Sequence, residues 1–236
     1  MASVIIAAIA LAISVFGGLY QLDQMIKGPH VKLYAPDQVL LSIYYPCENK
    51  DSKDCRPYLR IGADMNYTNT AAYGAIVVGE CVSFRLDKEY VQTWEDFVRF
   101  EHPAIHRFDL KTTMLSQAHP IEVKPKNTLS HETYFDPKQR TCLHDGKSSS
   151  EAKNNQNYLS FQDFSKKLYP YSRKHKHIEF HFVAYIPQNK PKILEVKCRI
   201  KISDISKFVV KTLKNINNKN TQVPTGIAPE CNEVTG

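Results

Sequence analysis

The densest group of chemically competent side chains is His175, His177, Glu179 and His181. Spaced by two, all four share one face of a β-strand, and imidazole with carboxylate is a ligand set for zinc and related metals. Same-face neighbours on a strand stand about 7 Å apart, however, so three in a row do not converge on one ion at about 2.1 Å without ligands from elsewhere. A solvated strand face is therefore the expected reading. A metal-binding protein or metal-assisted hydrolase built on this strand is the alternative, and Cys142 and His144 could complete such a site only if the fold brings them near.

Around these histidines lies the strongest charge bias in the chain. Lys166 to Lys214 holds 13 Lys and Arg against Glu179, Glu195 and Asp204, a balance of +10 in a chain of net charge +7. Arg173, Lys174 and Lys176 flank the histidines, while Lys197, Arg199 and Lys201 alternate along a later strand and project from one face. Such a surface suits an anionic lipid or an acidic protein, and in many proteins it is simply a solvated face. Nucleic acid is not favoured, because no RNP or helix-turn-helix pattern accompanies the charge.

Other catalytic signatures are absent: the sequence has no P-loop, no G-x-G-x-x-G turn, no G-x-S-x-G elbow and no H-E-x-x-H helix. His131-Glu132 opens like the last of these, but position 135 is Phe. No cofactor is implied. Of the six cysteines, Cys47 and Cys55 bracket a charged loop and form a candidate disulfide, which an oxidising compartment would permit. No C-x-x-C pair occurs.

These residues need a scaffold, and its first element is the clearest. Ala2 to Leu22 carries no charge and is apolar on every side, and about 21 residues at roughly 1.5 Å each match a hydrocarbon core of about 30 Å. Residues 2–22 are thus expected to form a single-pass transmembrane anchor, a signal-anchor rather than a cleaved signal peptide, since no basic residue precedes the run and no small-x-small site follows it suitably. Lys27 and Lys32 after the span lean the body towards the cytosol by the positive-inside bias. Residues 23–30 read as a juxtamembrane linker ending at Gly28-Pro29.

Residues 31–214 read as one mainly β domain. Strands are expected over Val31–Ala35, Val39–Tyr45, Tyr58–Tyr67, Ala75–Leu86, His106–Met114 and Ile121–Val123, and a long hairpin pairs the alternating run Ile178–Ile186 with Leu194–Ile202. Asp87 to Glu101 fits a short helix through Val91, Trp94 and Val98, although Trp94, Asp96, Val98 and Phe100 fit strand alternation nearly as well, and a second short helix should begin at Ser160 and stop before Pro170. Residues 144–158 read as a flexible loop and 215–236 as a mobile tail. The expected architecture is an antiparallel β-sandwich with one or two short helices, an immunoglobulin-like layout being one form of it. The expected function is a membrane-anchored, non-enzymatic binding or scaffolding module that uses its basic C-terminal hairpin.

Overall fold

The computed structural model describes residues 2–44, 56–86, 89–100, 116–117, 120–138, 160–187, 192–217 and 226–234. Helix α1 (Ala2–Lys27) is continuous, and its stretch Ile5–Asp23 has a mean hydropathy of 2.1 with none of its surface buried. It is long and apolar enough to cross a membrane. Gly28 ends it in the left-handed region at φ 66°, a conformation that costs glycine no Cβ clash, and Pro29 prevents further helix.

The body is mainly antiparallel β. Strands β1 (Val31–Tyr34) and β2 (Val39–Tyr44) lie in line along one edge of β3 (Tyr58–Asn69), with Val31 opposite Asn69 and Tyr44 opposite Tyr58. Four residues, Ala35–Gln38, face two on β3, so the Pro36-Asp37 turn expected between strands is a bulge within one interrupted edge. β3 buries Leu59, Ile61, Ala63, Met65 and Tyr67, the face its alternation indicated. The expected run Ala75–Leu86 divides at Val78 into β4 (Ala75–Val77) and β5 (Gly79–Leu86).

Glu89–Phe100 forms strand β6, not the expected short helix, and it pairs with β5 on one side and with a later strand on the other. Register shifts interrupt its ladders, between Asp96 and Val98 against the later strand and opposite Phe84 and Arg85 against β5. Next come β7 (Ser116–Gln117), β8 (Ile121–Val123) and β9 (Asn127–Lys138). β8 pairs with β4 alone in a two-stranded sheet, consistent with its flanking prolines. The expected strand over His106–Met114, the loop over 144–158 and the Cys47, Cys55, Cys142 and His144 positions lie outside the described residues.

Helix α2 (Phe161–Ser172) starts at Ser160, whose hydroxyl accepts from the Asp163 amide at 3.1 Å and donates to its carboxylate at 2.7 Å. It runs through Pro170 instead of stopping before it. Strands β10 (His177–Ile186) and β11 (Lys192–Lys201) form the expected hairpin, and helix α3 (Ile202–Asn217) follows without a break.

The large sheet runs β1/β2, β3, β9, β6, β5, β10, β11 and finally β12 (Asn232–Glu233). Its two ends meet through one segment. Gly226–Val234 bonds to β2 at its start and to β11 at its end, so this strap bridges the edges of the sheet. The tail expected from residue 215 is therefore structured where it is described: 215–217 complete α3, and 226–234 fill the seam. Inside pack Phe84, Phe135, Phe180 and Phe182, with Phe161 and Phe164 of α2 and Phe208 of α3 covering one side.

Candidate functional site

The two ends of the strands differ. Ile186 pairs with Lys192 at one end of the hairpin and His177 with Lys201 at the other. The chain leaves α1 at the first end, where the Lys192 ammonium donates to the Val31 carbonyl at 3.4 Å and the Thr70 amide donates to the His30 carbonyl at 3.1 Å. Ten residues at about 3.3 Å each separate the ends by roughly 30 Å.

Arg173, Lys174, Lys176 and Lys201 gather at the far end, all exposed. Arg173 lies over the Tyr169 ring, 4.6 Å from its centroid, and donates to the Tyr169 hydroxyl. α2 adds exposed Lys166 and Lys167, and α3 adds exposed Lys207, Lys211 and Lys214, while Asp163 and Asp204 are the helices' only acids. These lysines mark the polar faces of two helices whose apolar faces, Phe164 and Leu168 on α2 and Ile205 and Phe208 on α3, are buried.

Lys197 and Arg199 behave otherwise. Arg199 meets Glu179 at 3.4 Å and Lys197 meets Glu195 at 3.8 Å, so the outward face of the hairpin is a mixed-charge network. At its centre is His181, whose Nδ1 is 2.9 Å from Glu195 and whose Nε2 is 2.9 Å from Glu179. This histidine is buried although its strand face was expected to be wet, and it sits beside a small apolar cluster of Cys81 and Val183. Of the four proposed metal ligands, only Glu179 and His181 are brought together. His175 precedes the strand and stacks on Tyr171 at 4.1 Å, and His177 is exposed at the strand's start. Among the described residues no group of three or more potential ligands is placed to hold a metal.

The sheet interior holds a polar cluster that the sequence reading did not single out. Glu80 lies on the inward face of β5 with Val82 and Phe84, fully buried. Thr133 donates to it at 2.7 Å, the Tyr67 hydroxyl donates to its other oxygen, and His131 Nε2 stands 2.9 Å away at ion-pair distance but outside hydrogen-bond angle. Tyr67 and His131 are stacked, 8° from parallel. An acidic residue in phase with Val82 and Phe84 was the available signal. A carboxylate receiving several donors in a closed core chiefly ties strands together, here β3, β5 and β9.

On the outer side of β3 and β9, Asp64 and Glu132 are directly opposite each other. Beside them Tyr134 packs over Gly62, where a Cβ would come within 3.1 Å of the tyrosine ring. Burial pushes the Tyr134 phenol well above its ordinary range, and Glu132 pushes it further through its charge and a hydrogen bond. A hollow of about 30 Å³ lies here under Ala228 of the strap.

Finally, Cys198 of β11 is disulfide-bonded to Cys231 of the strap, with Cα atoms 5.4 Å apart, inside the usual range for such a bridge. Cys81 is disulfide-bonded as well. Bridges of this kind persist in oxidising compartments, which runs against the cytosolic side suggested by Lys27 and Lys32.

These features define a mainly antiparallel β protein with three helices among the described residues, the first an apolar N-terminal helix long enough to span a bilayer. No protein-family model matches the chain, and no curated protein matches it either.

Proposed function

We propose that this protein is a membrane-tethered, non-enzymatic binding module whose body stands on the oxidising side of the membrane. Its contact surface is the basic layer made by α2, the turn after it and α3. We read the closed sheet as a flattened barrel, its two walls taking the place of the two sheets of a sandwich. The observation that carries the proposal is the collection of exposed cations at the end of the strands remote from the exit of α1.

A separation of roughly 30 Å is several Debye lengths at physiological ionic strength, where the Debye length is about 8 Å. Headgroups of the membrane that holds α1 are too far to be the natural partner of this layer. The partner that fits is an acidic protein segment approaching from the opposite direction. Lys197 and Arg199 contribute less, because Glu195 and Glu179 already offset them.

The test uses the full chain in nanodiscs of neutral lipid, with polyglutamate as the acidic probe. Binding should weaken steeply between low and physiological salt, and Lys207→Gln, Lys211→Gln and Lys214→Gln together should weaken it several-fold without changing the melting temperature. The pair Lys197→Gln and Arg199→Gln should have a smaller effect. Binding that ignores salt, or that survives the α3 triple substitution unchanged, would reduce the layer to a solvated face; preference for vesicles of phosphatidylserine over polyglutamate would replace the acidic protein with a lipid surface.

A further inference from the structure

We propose that the strap Gly226–Val234 is an exchangeable strand: the seam it fills can take the same segment from a second copy of this chain, and the Cys198–Cys231 disulfide fixes which copy supplies it. This goes beyond the tethered binding module and does not depend on it.

The seam is defined by main-chain chemistry. Leu41 and Ile227 exchange both hydrogen bonds, at 2.8 and 3.0 Å, the Val39 amide donates to the Pro229 carbonyl at 3.1 Å, and the Cys231 amide donates to the Asp37 carbonyl at 2.9 Å. On the other side Val234 donates to the Lys197 carbonyl at 2.9 Å, and Asn232 and Glu233 pair with Arg199 and Cys198. Every one of these partners belongs to β2, the bulge before it, or β11. β2 is held on its other side by β3, and β11 by β10, so both edges keep their places when the strap leaves. Each would then present a row of unpaired amides and carbonyls, the template on which another strand adds.

Side chains restrict the choice of occupant. Ile227 packs against the core, and Gly226 approaches so closely that a Cβ there would lie 2.7 Å from the Leu41 carbonyl oxygen. A glycine followed by a branched apolar residue, and four positions after that a cysteine placed to bond Cys198, is the strap's own sequence. A second copy matches that requirement at every position. The nine peptide steps from Asn217 to Gly226 reach at most roughly 30 Å, so a donor must lie beside its acceptor.

The disulfide acts as a latch. A small dithiol attacks one sulfur, releases the other as thiol, and closes to its own disulfide; two electrons and two protons pass to Cys198 and Cys231, now free thiols. Glutathione disulfide reverses this, taking both electrons back as two molecules of glutathione form. If the strap has changed copies in between, the new bond joins two chains.

The experiment needs no substitution for its main readout. Full-length chain in ordinary isotopes and full-length ¹⁵N chain are mixed in detergent micelles, reduced with dithiothreitol without denaturant, reoxidised with glutathione disulfide and digested. Mass spectrometry then reads the peptide pair linked through Cys198 and Cys231. Hybrid light–heavy pairs from a band at twice the chain mass on a non-reducing gel are expected. Only light–light and heavy–heavy pairs, all from the monomer band, would overturn the proposal. Gly226→Val, whose side chain cannot seat against Leu41, should abolish the hybrid; hybrid formation at the wild-type level in that variant would show that the cross-link does not pass through a seated strap, and would overturn it equally.

Discussion

Replacing Cys198 and Cys231 together with alanine removes the latch without burying a new polar group at Cys198, which is fully enclosed. The bond spans a sequence separation of 33 residues. Closing a loop of that length lowers the entropy of the unfolded chain by about 12.5 cal/mol/K in the chain-entropy account, equivalent to about 3.7 kcal/mol at 25 °C. For a body of this size each kcal/mol moves the melting temperature by about 2–4 °C, so the double variant should melt roughly 7–15 °C lower. Scanning calorimetry of the full chain in detergent measures this. The loss should also be local first. The strap's few bonds hold only the seam, so amide exchange at Leu41 and Ile227 should rise well before that of Phe182 on the central strand β10. A melting point within about 2 °C of wild type, under 1 kcal/mol on the same scale, would refute the claim that the strap is tied to β11 by this bond.

Three further outcomes follow from the same packing. Phe182→Asp should cost several kcal/mol by burying a charge in the core, whereas Lys197→Gln, at a half-exposed site, should stay within about 0.5 kcal/mol; equal melting points in thermal denaturation would mean the hairpin faces are reversed. Glu80→Ala strands the Tyr67 and Thr133 hydroxyls in the core and should cost about 3 kcal/mol or more in urea unfolding, while Glu80→Ala as stable as wild type would mean these hydroxyls find water. Ser160→Ala should cost about 0.5–2 kcal/mol as a lost helix cap. The hydrogen bond from Ser160 holds the Asp163 carboxyl below its ordinary range, so its stabilisation is present above the unfolded carboxylate's titration and is lost as pH falls through the depressed value. The difference between wild type and variant in melting temperature should therefore shrink in acid, and a difference that grows would contradict the assignment.

The hairpin was legible because its alternation is strict: Ile178 to Ile186 and Leu194 to Ile202 each place every second side chain inside. α1 was legible for a different reason, since no other run in the chain is free of charge for so long. Strand β9 escaped because its inward residues include His131 and Thr133, which an apolar pattern does not count. β6 was misread because Val91, Trp94 and Val98 fit a helical period about as well as Trp94, Asp96, Val98 and Phe100 fit alternation. α3 carries a plain helical period, Ile202, Ile205, Phe208, Val209 and Thr212, but follows β11 so directly that Ile200 and Ile202 read as one strand. The strap lay beyond any periodicity argument. Its segment is short and shows neither apolar period, and its place depends on two edges more than 150 residues apart in sequence, Leu41 and Cys198.

The candidate surface divides in the same way. Charge bias alone found Arg173, Lys174, Lys176 and Lys201, whereas the neutralisation of Lys197 and Arg199 depends on cross-strand register, Glu179 opposite Arg199 and Val183 opposite Glu195. The histidine strand looked like one exposed face. Its register instead sets His181 opposite both Lys197 and Ser83, within the sheet and between two carboxylates.

A tethered module requires α1 to be a retained anchor. Intact mass spectrometry of the protein recovered from carbonate-washed membranes tests it most directly, because one spectrum reports both where the chain is and whether its N-terminal helix is still attached. The expected result is the full chain, residues 2–22 included, in the washed pellet, at a mass shifted as disulfide-bonded cysteines require. Recovery in the soluble wash, or a mass lacking the first helix, would make α1 a removable targeting segment and contradict the tethered module.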